Sequence, residues 1–138
     1  MEKLISKHTG GMSFETEIDG HSIIVDADSN FGGESKGPKP KPLVLQALTG
    51  CTGMDVISLL NKMRVEYTDF SVTVEAELTD EHPKYYHKIH LIYSLKTKPE
   101  YHAKVEKAVN LSQDRYCGVS FMLAKAAALT HEIKFEEL

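Results

Sequence analysis

The chain lacks several features that mark whole classes of proteins. It contains no tryptophan, its arginines are only Arg64 and Arg115, and the net charge of its 138 residues is -4. Nucleic-acid-binding proteins usually present a basic patch, so this composition argues against a polyanionic partner. No apolar run approaches the roughly 20 residues that span a bilayer, and the N-terminal residues do not resemble a signal peptide. We therefore expect a cytoplasmic protein without a nucleic-acid or membrane partner.

Cysteine is also scarce, because Cys51 and Cys117 are the only two in the chain. Two cysteines do not make a disulfide scaffold, and a permanent bridge is not expected in a reducing cytosol. Free cysteine is often a small apolar core residue, which is one interpretation of the pair. A reversible redox pair is the other.

The residues that are present predict one α+β domain over residues 1–138, since 41% of them are apolar. Alternating apolar and polar residues predict strands at 3–7, 12–16, 21–27, 70–78, 87–95 and 130–135. Helical spacing predicts helices at 43–64, 100–111 and 117–129. Asp19-Gly20 between two strand segments predicts a tight hairpin. The pairing of neighbouring strands predicts antiparallel sheets around long central helices. The longest helix is apolar all round, which predicts a central, buried helix rather than a surface one.

Cys51 lies within the longest predicted helix, between Gly50 and Gly53. Each glycine costs about 1 kcal/mol relative to alanine inside a helix, so the pair calls for a reason. Close helix packing is one reason, and space beside the sulfur for a second thiol or a substrate is the other.

Cys117 is predicted to begin the last helix, where free N–H groups and the helix dipole favour a thiolate. Arg115 would add positive charge there, and Ser120 would orient the sulfur or cap the turn. The densest histidine group is His82, His87 and His90, but neither cysteine has a histidine at ligand spacing, so no metal site is predicted. Asp55 is predicted to cap the helix or face solvent.

Two segments resemble the OsmC/Ohr family, which comprises osmotically induced protein C and the organic hydroperoxide resistance proteins. The segment 48–64, LTGCTGMDVISLLNKMR, closely resembles the helix of the first family cysteine. The segment 115–120, RYCGVS, resembles the motif of the second. The order of strands and helices also matches the family over nearly the whole chain. Either motif alone is weak, but both in this order are specific.

This resemblance implies an intertwined homodimer that acts as a thiol-dependent peroxidase on organic hydroperoxides. It implies that Cys51 is the peroxidatic thiolate, which becomes a sulfenic acid, and that Cys117 resolves it as a disulfide. A dithiol reductant, lipoyl-type in parts of the family, restores both thiols. No metal or organic cofactor is expected.

The sequence departs from the family pattern at the activating residues. Peroxidatic members use an arginine from an N-terminal strand and a glutamate before the central helix. Here no arginine precedes Arg64, and the glutamate position falls at Pro42. Arg115 and Glu34 are the candidate replacements, and a lysine near Glu34 (Lys36, Lys39 or Lys41) is the alternative. The alternative predictions are a non-catalytic OsmC-like dimer that binds a small apolar or thiol-reactive ligand, and a purely structural role for both thiols.

Overall fold

The computed structural model describes residues 1–138 and has an α+β fold. The strands are β1 Ser6–His8, β2 Phe14–Ile18, β3 His21–Val25, β4 Tyr67–Leu78, β5 Tyr86–Thr97 and β6 Ala128–Glu136. The helices are α1 Pro40–Lys62, α2 His102–Leu111 and α3 Gly118–Ala124. Short 3₁₀ helices lie at Ser29–Phe31 and Pro99–Tyr101, and a single π-helical turn lies at Ser112–Tyr116. The predicted order of strands and helices and the α+β class are confirmed.

The chain divides into two units, Met1–Gln46 and Ala47–Leu138, and α1 begins in the first and continues into the second. The single domain over residues 1–138 therefore stays a prediction. In the first unit, β1, β2 and β3 form an antiparallel sheet in that order. Asp19 and Gly20 both have positive φ, at 51° and 80°, and form the two-residue turn between β2 and β3. This is the hairpin predicted from Asp-Gly.

A buried carboxylate organises the loop that follows β3. Asp26 accepts hydrogen bonds from the backbone N–H groups of Ala27 at 2.7 Å, Lys36 at 3.1 Å and Glu34 at 3.3 Å. The N–H of Lys36 contributes most to holding the pKa of Asp26 below its usual value. Gly33 packs so closely against this loop that a Cβ there would overlap the carbonyl oxygen of Ala27. The loop is therefore held by specific backbone contacts.

The sheet of the second unit has the order β4-β5-β6. β4 pairs antiparallel with β5, but β6 pairs parallel to β5, so this sheet is mixed. The prediction of antiparallel sheets misses this pair, because α2 and α3 form a crossover that returns the chain in the direction of β5. Along the central strand β5, Ile89, Leu91, Tyr93 and Leu95 are buried in strict alternation.

The largest differences from the predicted helix boundaries are at the start of α1 and the end of α3. α1 begins at Pro40, because Pro40 and Pro42 occupy the first turn, where backbone N–H groups have no helical partner. α3 ends at Ala124, and the predicted helical residues Ala128 and Leu129 belong instead to β6, paired with Lys88 and Ile89. Sheet pairing here overrides the helix propensity of an alanine-rich segment.

The prediction of a buried rather than a surface helix is met along only one face of α1. Its buried residues form one stripe at four-residue spacing, Leu48, Thr52, Val56 and Leu60. Met54 on another side is 76% exposed. A window of 18 residues within α1 has a mean hydropathy of 1.6, so this helix is long and apolar enough to cross a membrane by length and composition alone. The expectation that no segment is long and apolar enough is therefore corrected for α1, in which glycine, threonine and serine interrupt the apolar residues.

Candidate active site

The fold brings the two cysteines together, although they lie far apart in the sequence. Cys51 is on α1 and half-buried, whereas Cys117 precedes α3 and is buried. Their Sγ atoms and one carboxylate oxygen of Asp55 all lie within 4.8 Å of one another. This cluster of two thiols and a carboxylate is the candidate active site.

Backbone hydrogen bonds fix the position of Cys117. Its N–H donates to the carbonyl of Ser112 at 2.8 Å, and its Sγ accepts from the N–H of Ser120 at 3.3 Å. Cys117 thus takes the N-cap position of α3, with extended φ of -78° and ψ of 100°. The expected role of Ser120 is partly met by its backbone, while its buried Oγ has no hydrogen-bond partner.

The surroundings of Cys51 favour the protonated thiol. Burial raises the pKa of Cys51 above its usual value, and a hydrogen bond with the Cys117 sulfur raises it further. The N–H of Val119 acts in the opposite direction, whereas the charges of Cys117 and Asp55 add to the increase in pKa. In most molecules Cys51 is therefore a protonated thiol at neutral pH, and the thiol is a slower nucleophile than the thiolate.

Asp55 was predicted to cap the helix or face solvent. In the structure it belongs to the cysteine cluster. The Ser112 hydroxyl donates to its carboxylate at 3.0 Å. Asp55 follows Cys51 by four positions, which places both side chains on the same helical face. This spacing was the sequence pattern that could have identified Asp55.

A network of buried polar side chains lies next to the cluster of Cys51, Cys117 and Asp55. The Thr52 hydroxyl hydrogen-bonds to Tyr93 Oη at 2.6 Å and to Ser112 Oγ at 2.7 Å. The Gln113 amide donates to Tyr93 Oη at 2.8 Å and to Thr52 Oγ1 at 3.1 Å. Burial also raises the pKa of Tyr93, so its hydroxyl stays a neutral donor. The network joins α1, β5 and the turn after α2, which are the elements that set the distance between the cysteines.

Comparisons with known proteins show the family of this chain. The family model of the OsmC-like proteins matches residues 32–132. The chain belongs to the OsmC-like protein family. It is 36% identical to Protein YhfA of Escherichia coli (strain K12) over 126 residues. The aligned residues cover 91% of each of the two chains.

Solved structures show the same fold. A hypothetical protein from Aquifex aeolicus VF5 is 26% identical with a TM-score of 0.80, covering 99% of this chain and 98% of that one. An organic hydroperoxide resistance protein from Legionella pneumophila is 20% identical with a TM-score of 0.67, covering 97% and 98%. At this lower identity the second match shows the OsmC fold alone.

The two candidate activating residues of this OsmC-like chain have other contacts. Arg115 is exposed, with its guanidinium 5.7 Å from the centroid of the Tyr116 ring. Glu34 is exposed in the first unit and forms an ion pair with Lys36 at 3.3 Å. Their activating roles stay predictions.

The two glycines beside Cys51 differ in their surroundings. A Cβ on Gly53 would meet Val72 at 3.6 Å, an ordinary contact, so this side of α1 packs against β4. A Cβ on Gly50 would have nothing within 4 Å. Open space therefore lies next to Gly50, whereas Gly53 is packed against β4.

Proposed function

We propose that this OsmC-like protein is a thiol-dependent peroxidase that reduces organic hydroperoxides through a Cys51/Cys117 dithiol-disulfide cycle. The observation that carries the proposal is the approach of the two sulfurs to within 4.8 Å, with Cys51 the more accessible. The name of the Legionella pneumophila structure, an organic hydroperoxide resistance protein, supports the substrate class. The reductant is a dithiol of the lipoyl type, and the cycle takes place in the cytoplasm.

In the first step, the Cys51 thiolate attacks the terminal peroxide oxygen. The O–O bond breaks, the alkoxide takes a proton and leaves as an alcohol, and Cys51 becomes a sulfenic acid. The Cys117 sulfur then attacks the Cys51 sulfur, an S–S bond forms, and the oxygen leaves as water. A disulfide is about 2.05 Å long, so the sulfurs must move closer at this step. Two electrons from the external dithiol return both thiols.

The working form is a homodimer. Both helices next to the site expose large apolar side chains, with Met54 of α1 at 76%, Phe121 of α3 at 66% and Met122 at 62% exposed. Large apolar side chains left exposed on elements next to a site are typical of an interface. Light scattering of the purified protein checks this, and a single-chain mass at micromolar concentration would contradict it.

The peroxidase test compares the wild type with Cys51→Ser, Cys117→Ser and Ser71→Ala, the last being an exposed control on β4. Each reduced protein is mixed with cumene hydroperoxide and dihydrolipoamide, and hydroperoxide loss is followed. We expect Cys51→Ser to fall to the uncatalysed rate and Ser71→Ala to match the wild type. Cys117→Ser should accumulate a sulfenic acid that dimedone traps, because the resolving thiol is gone.

A second candidate function follows from the raised pKa of Cys51 and from the missing N-terminal arginine. It is a non-catalytic dimer whose thiols and neighbouring space bind a small apolar or thiol-reactive ligand. Mass spectrometry after one equivalent of hydroperoxide separates the two. A wild type that keeps both thiols, with rates equal to those of Cys51→Ser, would overturn the peroxidase and favour the binding function.

A further inference from the structure

We infer that Cys51, Cys117 and Asp55 together bind one thiophilic divalent cation, for which Zn²⁺ is the best fit, in competition with disulfide formation. The binding needs only the reduced thiols, so it does not rest on the proposed peroxidase. Three donors of the type that Zn²⁺ prefers, two sulfurs and one carboxylate oxygen, converge within 4.8 Å of one another.

The distances suit a tetrahedral ion. Zn²⁺ binds thiolate sulfur at about 2.3 Å and carboxylate oxygen at about 2.0–2.2 Å, so two sulfurs on one ion stand roughly 3.8 Å apart. Since the donors are within 4.8 Å already, a cation would draw them together by about 1 Å at most. A side-chain adjustment of that size needs no change in the fold.

Neighbouring groups orient the three donors. The Ser112 hydroxyl holds the Asp55 carboxylate at 3.0 Å, and the N–H of Ser120 points at the Cys117 sulfur at 3.3 Å. The N–H of Val119 faces the Cys51 sulfur and lowers the pKa of that thiol. Groups that hydrogen-bond to metal ligands are a regular part of metal sites, because they fix the ligand geometry and stabilise anionic sulfur.

The site can exchange its cation with solution. Three protein ligands leave the fourth tetrahedral position open, which is typical of reactive rather than structural zinc. A groove of about 330 Å³ reaches Asp55 and is lined also by Ser58, Leu59, Lys62 and Tyr116. On binding, each thiol loses its proton to solvent, and the ion with two thiolates and one carboxylate has a net charge of about −1.

Binding of the cation and formation of the disulfide exclude one another, because both use the same two sulfurs. Bound Zn²⁺ therefore protects the thiols from oxidation, and oxidation releases Zn²⁺. The same competition would make Zn²⁺ an inhibitor of any chemistry at Cys51.

The test titrates reduced, chelator-treated protein with Zn²⁺ in competition with a chromophoric chelator. We expect one Zn²⁺ per chain, and with Co²⁺ in its place an ultraviolet thiolate-to-metal charge-transfer band. Asp55→Asn should weaken Zn²⁺ binding by about 10–100-fold, and Ser112→Ala by about tenfold, because each disturbs a ligand or its orientation. Asp114→Asn, an exposed acid near Cys117, is the matched control and should bind like the wild type.

Blocking the wild-type thiols with iodoacetamide should abolish Zn²⁺ binding. This experiment needs no mutation, so it does not depend on whether a cysteine variant folds. Binding that survives alkylation would place Zn²⁺ on the histidines and overturn the inference. So would equal affinity in the wild type and Asp55→Asn, or no binding by the reduced wild type at micromolar Zn²⁺. Each result is independent of peroxidase activity, so the two proposals can fail separately.

Discussion

Replacing Thr52 by valine removes the centre of the polar network while keeping the shape of the side chain. Thr52 is fully buried, and its hydroxyl takes part in three hydrogen bonds, to Tyr93, Ser112 and Gln113. Ser112 keeps its bond to Asp55 at 3.0 Å, and Tyr93 still accepts from Gln113 at 2.8 Å. Because the Ser112 hydroxyl donates to Asp55, Thr52 donates to Ser112. Thr52 then accepts from the Tyr93 O–H, which loses its acceptor in the valine variant. The cost is therefore that of the lost bonds and of one buried donor left unpaired.

Each lost bond is worth about 0.5–1.5 kcal/mol net, so three cost about 3 kcal/mol. The methyl group that replaces the hydroxyl recovers about 1 kcal/mol by apolar burial. The unpaired Tyr93 O–H adds about 1–3 kcal/mol, so we expect Thr52→Val to lower the free energy of unfolding by about 3–5 kcal/mol. For a chain of this length, that corresponds to a fall in Tm of about 10–17 °C.

Thermal and urea unfolding at one fixed protein concentration measure this loss, since dimerisation would otherwise shift Tm. Thr52→Ser keeps the hydroxyl and removes only a methyl group, so it should cost less, about 1 kcal/mol. Thr73→Val on an exposed position of β4 should change stability by no more than about 0.5 kcal/mol. If Thr52→Ser proved as damaging as Thr52→Val, packing and not the network would explain the stability of this site.

Two further predictions concern the first unit and the open side of α1. Because hydrogen bonds lower the pKa of Asp26, its contribution to stability is complete above about pH 4 and is lost as pH falls through its folded-state pKa. The Tm difference between wild type and Asp26→Asn should therefore shrink below about pH 4, and a difference independent of pH would refute this. Gly33→Ala should cost about 1–3 kcal/mol by overlap with Ala27, whereas Gly50→Ala should add about 1 kcal/mol to stability. Chemical denaturation measures both, and a destabilised Gly50→Ala would contradict the open space beside it.

Local patterns in the sequence predicted many of the strands, helices and turns. The Asp19-Gly20 turn, the alternation along β5 and the helical spacing of α1 were predicted from neighbouring residues, because turn type and side-chain periodicity are short-range properties. The motifs around Cys51 and Cys117 are short-range as well, and their resemblance to the OsmC-like family rests on runs of adjacent residues.

Other features needed the tertiary structure. The parallel pairing of β6 and the early end of α3 depend on where the crossover from β5 returns the chain, which no local pattern states. The exposure of Met54 depends on which elements pack against α1. The hydropathy of a methionine does not depend on its neighbours, so it could not predict this exposure.

The candidate site shows the same division. Sequence by itself determined that two thiols exist, that each has small neighbours, and which helix or turn carries it. Only the tertiary structure decided that the thiols meet, that Asp55 joins them, and that Thr52, Tyr93, Ser112 and Gln113 hold the group in place. Contacts between residues distant in the chain arise from the packing of α1 against β5 and the turn after α2, and ordinary residues such as threonine and serine carry no mark of them in the sequence.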